Sequence, residues 1–222
     1  GDEPLLIKRT VPAAQVLVAQ SRQEGVLRLL EAKKVDVILS DDGLQHYSLY
    51  RDLEILIIDA SRALGNGFLL PVGPLREPRS RLATVDCVLV RNGDHPATSF
   101  VYVIKGFRNE GTGERLSLDA GLAAWQGSQV VAATGLGQPE QYFQMLRHKG
   151  LTFESVAVAD HAVLPMKEII ASYAADVVLI TGKDAVKLKA PACDTVWVVE
   201  IEALLPSHLV DQLDRLMAQR IE

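Results

Sequence analysis

The sequence has few cysteines, no long hydrophobic run and no excess of basic residues, and each absence excludes a class of protein. The two cysteines, Cys87 and Cys193, stand in no CxxC or Cys/His spacing, so we interpret them as buried free thiols of a reducing compartment rather than as a metal centre or a disulfide. No apolar run approaches the ~18 residues of a transmembrane helix, and no signal peptide is recognisable, so we expect no membrane span in this chain. The net charge of −5 argues against a nucleic-acid partner, since proteins that bind duplexes usually have a basic face.

Two glycine-containing segments are similar to phosphate-binding loops but lack residues that such loops need. In ITGKDAVKL, a P-loop would require glycine at position 177 and serine or threonine at 184, where the chain has Val177 and Asp184. In ATGLGQPE, a dinucleotide fingerprint that starts at Gly135 would require glycine at position 140, where the chain has Glu140. We therefore interpret both segments as strand–turn–helix junctions and predict no P-loop in this chain.

Short apolar runs alternate with helical patterns along the 222 residues, which predicts an α/β protein. The runs are continuous in valine, isoleucine and leucine, which is typical of strands in a parallel sheet that is covered on both faces. We predict strands at residues 16–19, 35–39, 53–58, 85–90, 129–134, 152–158, 177–180 and 195–199. We predict helices at residues 22–34, 139–149 and 166–173, and two more that begin near Lys183 and Ser207.

The pattern changes at residues 99–118, where two extended runs flank the glycine-rich turn RNEGTG and predict a β-hairpin. We therefore expect two α/β lobes that this hairpin joins: a first lobe at 1–96, a linker at 97–122 and a C-terminal lobe at 123–222. The first four residues, GDEP, predict a turn when they are taken alone.

Two adjacent carboxylates, Asp41 and Asp42, follow the predicted strand 35–39, at the end where ligands collect in open α/β sheets. Adjacent negative charges repel each other unless a cation neutralises them, and Mg²⁺ that carries substrate phosphates suits one or two carboxylates. The alternative interpretation is a solvated strand end with an ordinary Asp-Gly turn. Gln45 and His46 add polar groups to the same edge.

The segment GNGFLLPVGPLREPRSRL, residues 65–82, contains three glycines and three prolines and predicts a loop of defined shape. Its Arg76, Arg79 and Arg81 suit the binding of phosphate or carboxylate, although solvated surface arginines are the alternative. Glu77 is either a salt-bridge partner or a further metal ligand. In VADHAVL, His161 follows an acid, but a lone histidine is more often a packing or capping residue.

Six segments occur together in one order: GDEPLL, SDDGLQHYSLYRDLEILIID, GNGFLLPVGPLREPRSRL, ATGLGQPEQYF, ADH and TGKDAVKL. With them, the chain resembles the tetraacyldisaccharide 4'-kinase (lipid A 4'-kinase) family of Gram-negative bacteria over essentially its whole length. Members of that family begin with a membrane-associating segment and a P-loop upstream of GDEP. The resemblance therefore implies that the N-terminal anchor and the P-loop are missing here and that the first lobe is incomplete.

The resemblance implies a lipid kinase whose two lobes, of P-loop-kinase or Rossmann-like type, enclose the site. Such an enzyme uses Mg²⁺ and transfers the γ-phosphate of ATP to the 4'-hydroxyl of an acylated disaccharide 1-phosphate. Because this lipid A precursor lies in the bacterial inner membrane, the resemblance implies a peripheral enzyme at the cytoplasmic face. A chain without a P-loop leaves two alternatives, a non-catalytic fragment that binds the acceptor and a Mg²⁺-dependent phosphate-ester hydrolase.

The resemblance also implies roles for residues. Asp2 matches the family's proposed base for the acceptor hydroxyl, and His161 matches the histidine that works with that base. Asp41 and Asp42 match the acidic pair that serves Mg²⁺–ATP, with Glu77 as a further candidate metal ligand. The residues in motifs associated with acceptor or phosphate contacts are Arg22, Gln45, His46, Asn66, Arg76 and Glu77. The chain departs from the family's usual TEKDAVK motif at Gly182, which replaces the glutamate.

Overall fold

The computed structural model of the chain describes residues 1–32, 34–188 and 193–218, which form two compact units. The first unit joins Gly1–Val16 to the described residues of Val103–Glu202. The second joins Leu17–Tyr102 to the described residues of Ala203–Glu222. Each unit is therefore built from two separate stretches of chain. The expected lobes, 1–96 and 123–222, are each continuous in sequence, and that division stays a prediction.

Both units combine helices and strands, so the predicted α/β class is confirmed. The helices are α1 (Asp2–Thr10), α2 (Arg22–Ala32), α3 (Leu118–Ala124), α4 (Pro139–His148), α5 (Met166–Tyr173), α6 (Gly182–Ala185) and α7 (Ser207–Ala218). The strands are β1 (Ile55–Asp59), β2 (Cys87–Arg91), β3 (Ser99–Asn109), β4 (Arg115–Ser117), β5 (Val130–Thr134), β6 (Glu154–Ala157), β7 (Val177–Thr181) and β8 (Val196–Leu204).

In the first unit, β5 to β8 form a parallel sheet. Strand β5 pairs with β6 on one side and with β7 on the other, and β7 in turn pairs with β8. Alternate residues of β5 point to opposite faces: Val130 and Ala132 join one apolar cluster, and Val131 and Ala133 join another. None of these four side chains is more than 5% exposed. Both faces of the sheet are thus covered, as the continuous apolar runs predict.

The predicted hairpin is present in the pairing of β3 with β4, which is antiparallel. Gly106 of β3 lies opposite Ser117 of β4, and a Cβ atom at Gly106 would lie 2.4 Å from the backbone oxygen of Leu116. Such an approach leaves no room for any side chain at this position. The hairpin therefore depends on a glycine in its longer strand.

In the second unit, β1 pairs in parallel with β2, and β2 pairs in parallel with the first residues of β3. Helix α7 covers these strands through Leu209, which packs against Leu89 and Phe100, and all three side chains are at most 4% exposed. Within the described residues, β1 has no neighbour other than β2, so its second edge is open.

Two predicted strands, 16–19 and 35–39, are wrong, because neither segment is a strand. In the second of them, Val37, Ile38 and Leu39 are 48%, 38% and 88% exposed. An apolar run becomes a strand only where neighbouring strands satisfy its backbone N–H and C=O groups. Among the described residues, neither segment has such a neighbour.

The predicted turn at GDEP is also wrong, because these residues begin helix α1. Asp2 and Glu3 lie in the first turn of the helix and Lys8 and Arg9 in the last, where each sign of charge complements the helix dipole. Pro4 fits the first turn, where the amide hydrogen that proline lacks would have no partner within the helix. The charges at the two ends of this segment are the signal for a helix.

The two cysteines are free thiols, as expected, but they are not both buried. Cys87 is partly buried, and this burial raises the pKa of its thiol. Cys193 is exposed, so the expectation that it is buried is wrong. The two glycine-containing junctions are confirmed: one connects β5 to α4, and the other connects β7 to α6.

Candidate functional site

In the first unit, helix α1 brings Asp2 against His161. The Oδ2 atom of Asp2 lies 3.4 Å from Nδ1 of His161, although the two residues are 159 positions apart in the sequence. The φ angle of His161 is 61°, in the left-handed region, and its backbone N–H donates to the carbonyl oxygen of Gly135 at 3.1 Å. This conformation is uncommon for residues other than glycine, although histidine adopts it more readily than most. The pair lines an open pocket of about 330 Å³ together with Lys187.

Asp2 is held as a carboxylate. A hydrogen bond from its own backbone amide lowers its pKa most, and the hydrogen bond with His161 and the charge of Lys187 lower the pKa further, while burial acts in the opposite direction. The side chain of Asp2 is 21% exposed and that of His161 is 73% exposed. An ionised oxygen that solvent can reach, with an imidazole beside it, is able to accept a proton from a hydroxyl bound in the pocket.

Behind this pair lies a buried aspartate, Asp184, which is 1% exposed and lies in α6, directly after β7. Its carboxylate accepts hydrogen bonds from the hydroxyl of Thr134 at 2.8 Å, the hydroxyl of Thr181 at 2.6 Å and the backbone N–H of Gly135 at 3.0 Å. Thr134 ends β5 and Thr181 ends β7, so the carboxylate joins the ends of two neighbouring parallel strands.

Lys187 connects this aspartate to helix α1. Its Nζ atom lies 3.6 Å from Oδ1 of Asp184 and 3.6 Å from Oδ2 of Asp2, and its side chain is only 11% exposed. From the sequence, Asp184 is known only as a mismatch to a P-loop, and Lys187 has no expected role. Their position directly after a strand of a parallel sheet, where ligands collect, is the signal that could have found them.

In the second unit, Asp41 and Asp42 form an exposed turn. Arg22, at the start of α2, donates from Nη2 to the backbone oxygen of Asp41 at 2.7 Å. Arg51 donates to the backbone oxygens of the two residues after Asp42 at 2.9 and 3.0 Å. The arginines therefore fix the backbone of the turn and leave the carboxylates alone. Within the described residues, neither carboxylate has a hydrogen-bond or ion-pair partner.

This pair fits Mg²⁺ that is bound together with a phosphate substrate. Mg²⁺ usually takes one or two carboxylates and completes its octahedron with water and phosphate oxygens. Residues 1–32, 34–188 and 193–218 contain no group of three or more acidic, histidine or cysteine side chains that could hold a metal by themselves. Asp41 and Asp42 therefore suit a metal that arrives with its phosphate ligand.

Glu77 is held by protein side chains. Nε2 of Gln45 donates to its Oε1 at 2.7 Å, the hydroxyl of Tyr47 donates to its Oε2, and Nε of Arg81 lies 3.3 Å from that oxygen. The hydrogen bond from Tyr47 lowers the pKa of Glu77 most, followed by that from Gln45, and the same contact with Glu77 raises the pKa of Tyr47. Of the two interpretations of Glu77, these contacts favour the salt-bridge partner, with Arg81 as its cation.

The remaining candidates lie on the loops of the second unit. The side chain of Asn66 is used within its own loop, since Nδ2 donates to the backbone oxygen of Val72 at 3.0 Å and Oδ1 accepts from the backbone N–H of Phe68 at 3.1 Å. Arg76 and His46 are exposed, so their side chains can reach a ligand. The contacts of Asn66 indicate that it shapes the loop.

No helix in the part of the chain that the structure describes is long and apolar enough to cross a membrane.

Comparison with known proteins gives one consistent result. A family model described as tetraacyldisaccharide-1-P 4'-kinase matches residues 1–218. A tetraacyldisaccharide 4'-kinase of Aeromonas hydrophila is 38% identical over 219 residues, which cover 96% of this chain and 63% of that protein. The protein of the same name from Haemophilus influenzae is 39% identical and is matched over 99% of this chain and 68% of its own length. The Pseudomonas putida protein is 42% identical over 92% of this chain and 60% of its own length.

A solved structure shares the fold. It is a crystal structure of LpxK from Aquifex aeolicus, an "apo" form in complex with ATP, with a TM-score of 0.73 over 98% of this chain and 69% of that chain, at 24% identity. The P-loop-kinase fold expected from the sequence is thus confirmed. The chain spans 63% of the length of the Aeromonas hydrophila protein and 60% of the Pseudomonas putida protein.

Proposed function

The chain belongs to the tetraacyldisaccharide-1-P 4'-kinase family, and we propose that it takes part in the transfer of the γ-phosphate of ATP to the 4'-hydroxyl of an acylated disaccharide 1-phosphate. The observation that carries the proposal is the contact between Asp2 and His161, an ionised carboxylate and an imidazole 3.4 Å apart in an open pocket. The names of the relatives supply the substrate class, and the contact supplies the chemistry.

In this proposal, Asp2 accepts the proton of the acceptor hydroxyl as that oxygen attacks phosphorus. Phosphoryl transfer depends mainly on positioning and charge neutralisation, and a carboxylate beside the attacking hydroxyl provides both a proton acceptor and an orienting group. His161 bonds to the carboxylate and sets the direction of the oxygen that receives the proton. The low pKa of Asp2 keeps it ready to accept at neutral pH.

Asp41 and Asp42 are the residues that would hold Mg²⁺ with ATP. The ion would neutralise charge on the phosphates, and the two carboxylates, which have no protein partner among the described residues, would be its protein ligands. Arg22 and Arg51 support this role because they fix the turn through its backbone oxygens. Arg76 and His46 are exposed groups that can contact phosphate or acceptor, and Gln45 and Glu77 form the framework of the same loop region.

The test is the transfer of labelled phosphate from [γ-³²P]ATP to a tetraacyldisaccharide 1-phosphate in detergent micelles, with the complete protein that the gene encodes. Asp2→Asn should lower kcat by about 10²–10⁴-fold, since it removes a proton acceptor. Glu3→Gln is the matched control, because Glu3 neighbours Asp2 on α1 but pairs with Lys183. Wild-type turnover in Asp2→Asn would contradict the assigned base, and no transfer by the wild type would contradict the proposed function.

The metal assignment has its own test. Asp41→Asn and Asp42→Asn should each raise the Mg²⁺ concentration needed for half-maximal transfer by about tenfold or more, because each removes one charged ligand. Asp36→Asn, an exposed carboxylate on the segment before the turn, serves as the control and should leave that concentration unchanged. An unchanged Mg²⁺ requirement in both variants would place the metal elsewhere.

A second candidate function is binding of the acceptor without transfer, through the exposed Arg76. The complete protein, tested both for binding of the labelled acceptor and for phosphate transfer, distinguishes the two. Binding without transfer, weakened by Arg76→Ala, would support the second candidate. Release of phosphate from simple esters, dependent on Mg²⁺ and independent of ATP, would instead support a hydrolase.

The proposed acceptor is a membrane lipid, so we propose that the protein works as a peripheral protein at the cytoplasmic face of the bacterial inner membrane. Fractionation of cells should recover the complete protein with inner membranes, and high salt or carbonate should release it. Recovery in the soluble fraction at low salt would contradict this location.

A further inference from the structure

We propose that Asp184 and Lys187 are positioning residues for the Asp2–His161 pair. In this inference, Asp184 fixes both Lys187 and the backbone of His161, and Lys187 holds the carboxylate of Asp2 in the pocket. The inference rests on the proposed function, because it assigns roles around the same pocket.

The side chain of Asp184 is held in one position by its hydrogen-bond partners. A buried carboxylate is costly unless its oxygens are paired, and this one has three hydrogen-bond donors and one cation. The two threonine hydroxyls are themselves oriented: that of Thr181 accepts the backbone N–H of Asp184 at 3.2 Å, and that of Thr134 accepts the backbone N–H of Leu136 at 3.2 Å. Each hydroxyl hydrogen is therefore left to point at the carboxylate. The position of Asp184 is set by two strand ends.

The second step leads from Asp184 to His161 through Gly135. The N–H of Gly135 donates to Oδ1 of Asp184 at 3.0 Å, and the carbonyl oxygen of the same residue accepts the N–H of His161 at 3.1 Å. A Cβ at Gly135 would lie 3.0 Å from the backbone oxygen of Ala162, so the loop lies tightly over this glycine. Two hydrogen bonds in series thus connect the backbone of His161 to Asp184.

The third step leads from Asp184 to Asp2 through Lys187. Its ammonium lies at the same distance, 3.6 Å, from an oxygen of each carboxylate. At that distance both contacts are ion pairs rather than hydrogen bonds. Because the lysine side chain is only 11% exposed, solvent and salt screen these pairs less than they screen surface pairs. Lys187 therefore attracts the carboxylate of Asp2 towards a point that Asp184 fixes.

Other charged groups also face the pair. Oδ2 of Asp160 lies 3.8 Å from Nε2 of His161. Glu3 and Lys183 form an ion pair between the first turn of α1 and helix α6. The buried hydroxyl of Tyr142 has a raised pKa, which burial causes and the charge of Asp184 increases. Among the described residues of α6 and the segment after it, Lys183 and Lys187 thus both reach α1, and Lys187 is the one that contacts Asp2.

This difference between the two lysines gives a matched control for the experiment. In the complete protein, Lys187→Gln and Lys183→Gln remove the same charge from the same region, and Lys187→Arg keeps the charge. Two measurements are made on each variant: the pH titration of the Asp2 carboxyl carbon and the His161 ring by NMR, and the pH dependence of kcat and KM for phosphate transfer.

Lys187→Gln should raise the pKa of Asp2, shift the acidic limb of the kcat profile to higher pH and lower kcat by about 10²-fold, with KM for the acceptor within threefold, because a misplaced reactive group costs about that factor. Lys187→Arg should recover most of kcat, and Lys183→Gln should match the wild type in both measurements. Equal effects of the two lysine variants, or no effect of Lys187→Gln, would overturn the inference.

The role of Asp184 is tested separately with Asp184→Asn, which keeps the shape of the side chain. It should lower kcat as Lys187→Gln does, and the double variant should cost less than the product of the two single effects, because both changes act through one path. If the two single losses in kcat multiply in the double variant, the role of Asp184 is overturned. If Lys187→Gln does not fold, the kcat of Asp184→Asn decides the inference instead. If the wild type transfers no phosphate, the proposed function fails, while the titration of Asp2 still decides whether Lys187 positions it.

Discussion

Two apolar segments of the same length, residues 35–39 (VDVIL) and 177–181 (VVLIT), have opposite fates in this molecule. The second is β7, in which every residue is buried between β5 and β8. The first is no strand, and its Leu39 is 88% exposed. The difference lies in their neighbours, since β7 has a parallel partner on each side and the described chain provides none for 35–39.

The carboxylates that follow these segments differ in the same way. Asp184, after β7, is enclosed by two hydroxyls, an amide and an ammonium. Asp41 and Asp42, after the first segment, are exposed and have no protein partner in the described residues. A buried carboxylate that accepts three hydrogen bonds and pairs with an ammonium holds other groups in place, whereas an exposed carboxylate without a protein partner can bind a cation. Asp184 therefore suits a positioning role, whereas Asp41 and Asp42 are candidate metal ligands.

The largest expected difference between the two segments is in their contribution to stability. Leu179→Ala in β7, where the side chain is 0% exposed, should lower the free energy of unfolding by about 2–5 kcal/mol through lost burial and a cavity. Leu39→Ala should change it by less than about 0.5 kcal/mol. Both tryptophans, Trp125 and Trp197, are buried in the first unit, so their fluorescence in urea reports the first variant, and far-UV circular dichroism reports the second. A large loss of stability in Leu39→Ala would mean that residues 35–39 are packed in the folded protein, which contradicts their exposure.

A smaller effect is expected at Glu77, a carboxylate of the second unit that is paired. Glu77→Gln should cost about 1–2 kcal/mol at neutral pH, because hydrogen bonds to a charged acceptor are lost, whereas Asp42→Asn should be neutral within about 0.5 kcal/mol. The pKa of Glu77 is lowered from 4.5, so its stabilisation is complete above that pH and disappears as the pH falls through the folded-state pKa. The gap between wild type and Glu77→Gln in urea unfolding should therefore close on acidification, and a gap that is constant with pH would contradict this account.

The smallest effect is expected at Gly182, where the family's usual glutamate is absent. A Cβ there would lie 2.9 Å from Cδ1 of Leu6, the mobile end of a side chain on α1. Gly182→Ala should therefore move Leu6 slightly and change the free energy of unfolding by less than about 1 kcal/mol, since volume is added where a side chain can give way. Thermal unfolding measures the change. A large destabilisation would mean that α1 and α6 cannot adjust to each other.

The regular elements of the first unit are the part of the fold that the sequence predicts best. Helix α5 has the predicted bounds, 166–173, and β7 differs from its prediction by one residue. These elements have a strong apolar period and neighbours on both sides, so local pattern and long-range packing agree. At 35–39 the pattern is as strong, but a ladder of hydrogen bonds requires a second strand, which no local pattern can supply.

The residues of the candidate site could be predicted from the sequence only in part. Motifs that the chain shares with a kinase family direct attention to Asp2 and His161, but their contact depends on a helix that the sequence analysis expects to be a turn. Asp184 is hidden from sequence analysis for another reason: its importance comes from three partners in β5, β7 and the loop after β5, and only the sheet brings these together.

The long separation between α1 and α6 has a consequence for synthesis. Translation proceeds at about 5–20 residues per second, so the roughly 170 residues between these helices delay the docking of α1 by roughly 10–35 s. Until the segment that contains Gly182 and Lys187 leaves the ribosome, Asp2 lacks the ammonium that lies beside it in the folded protein. The nascent chain therefore cannot assemble this pocket until Lys187 has been made, and a product that ends before that residue lacks the complete pocket.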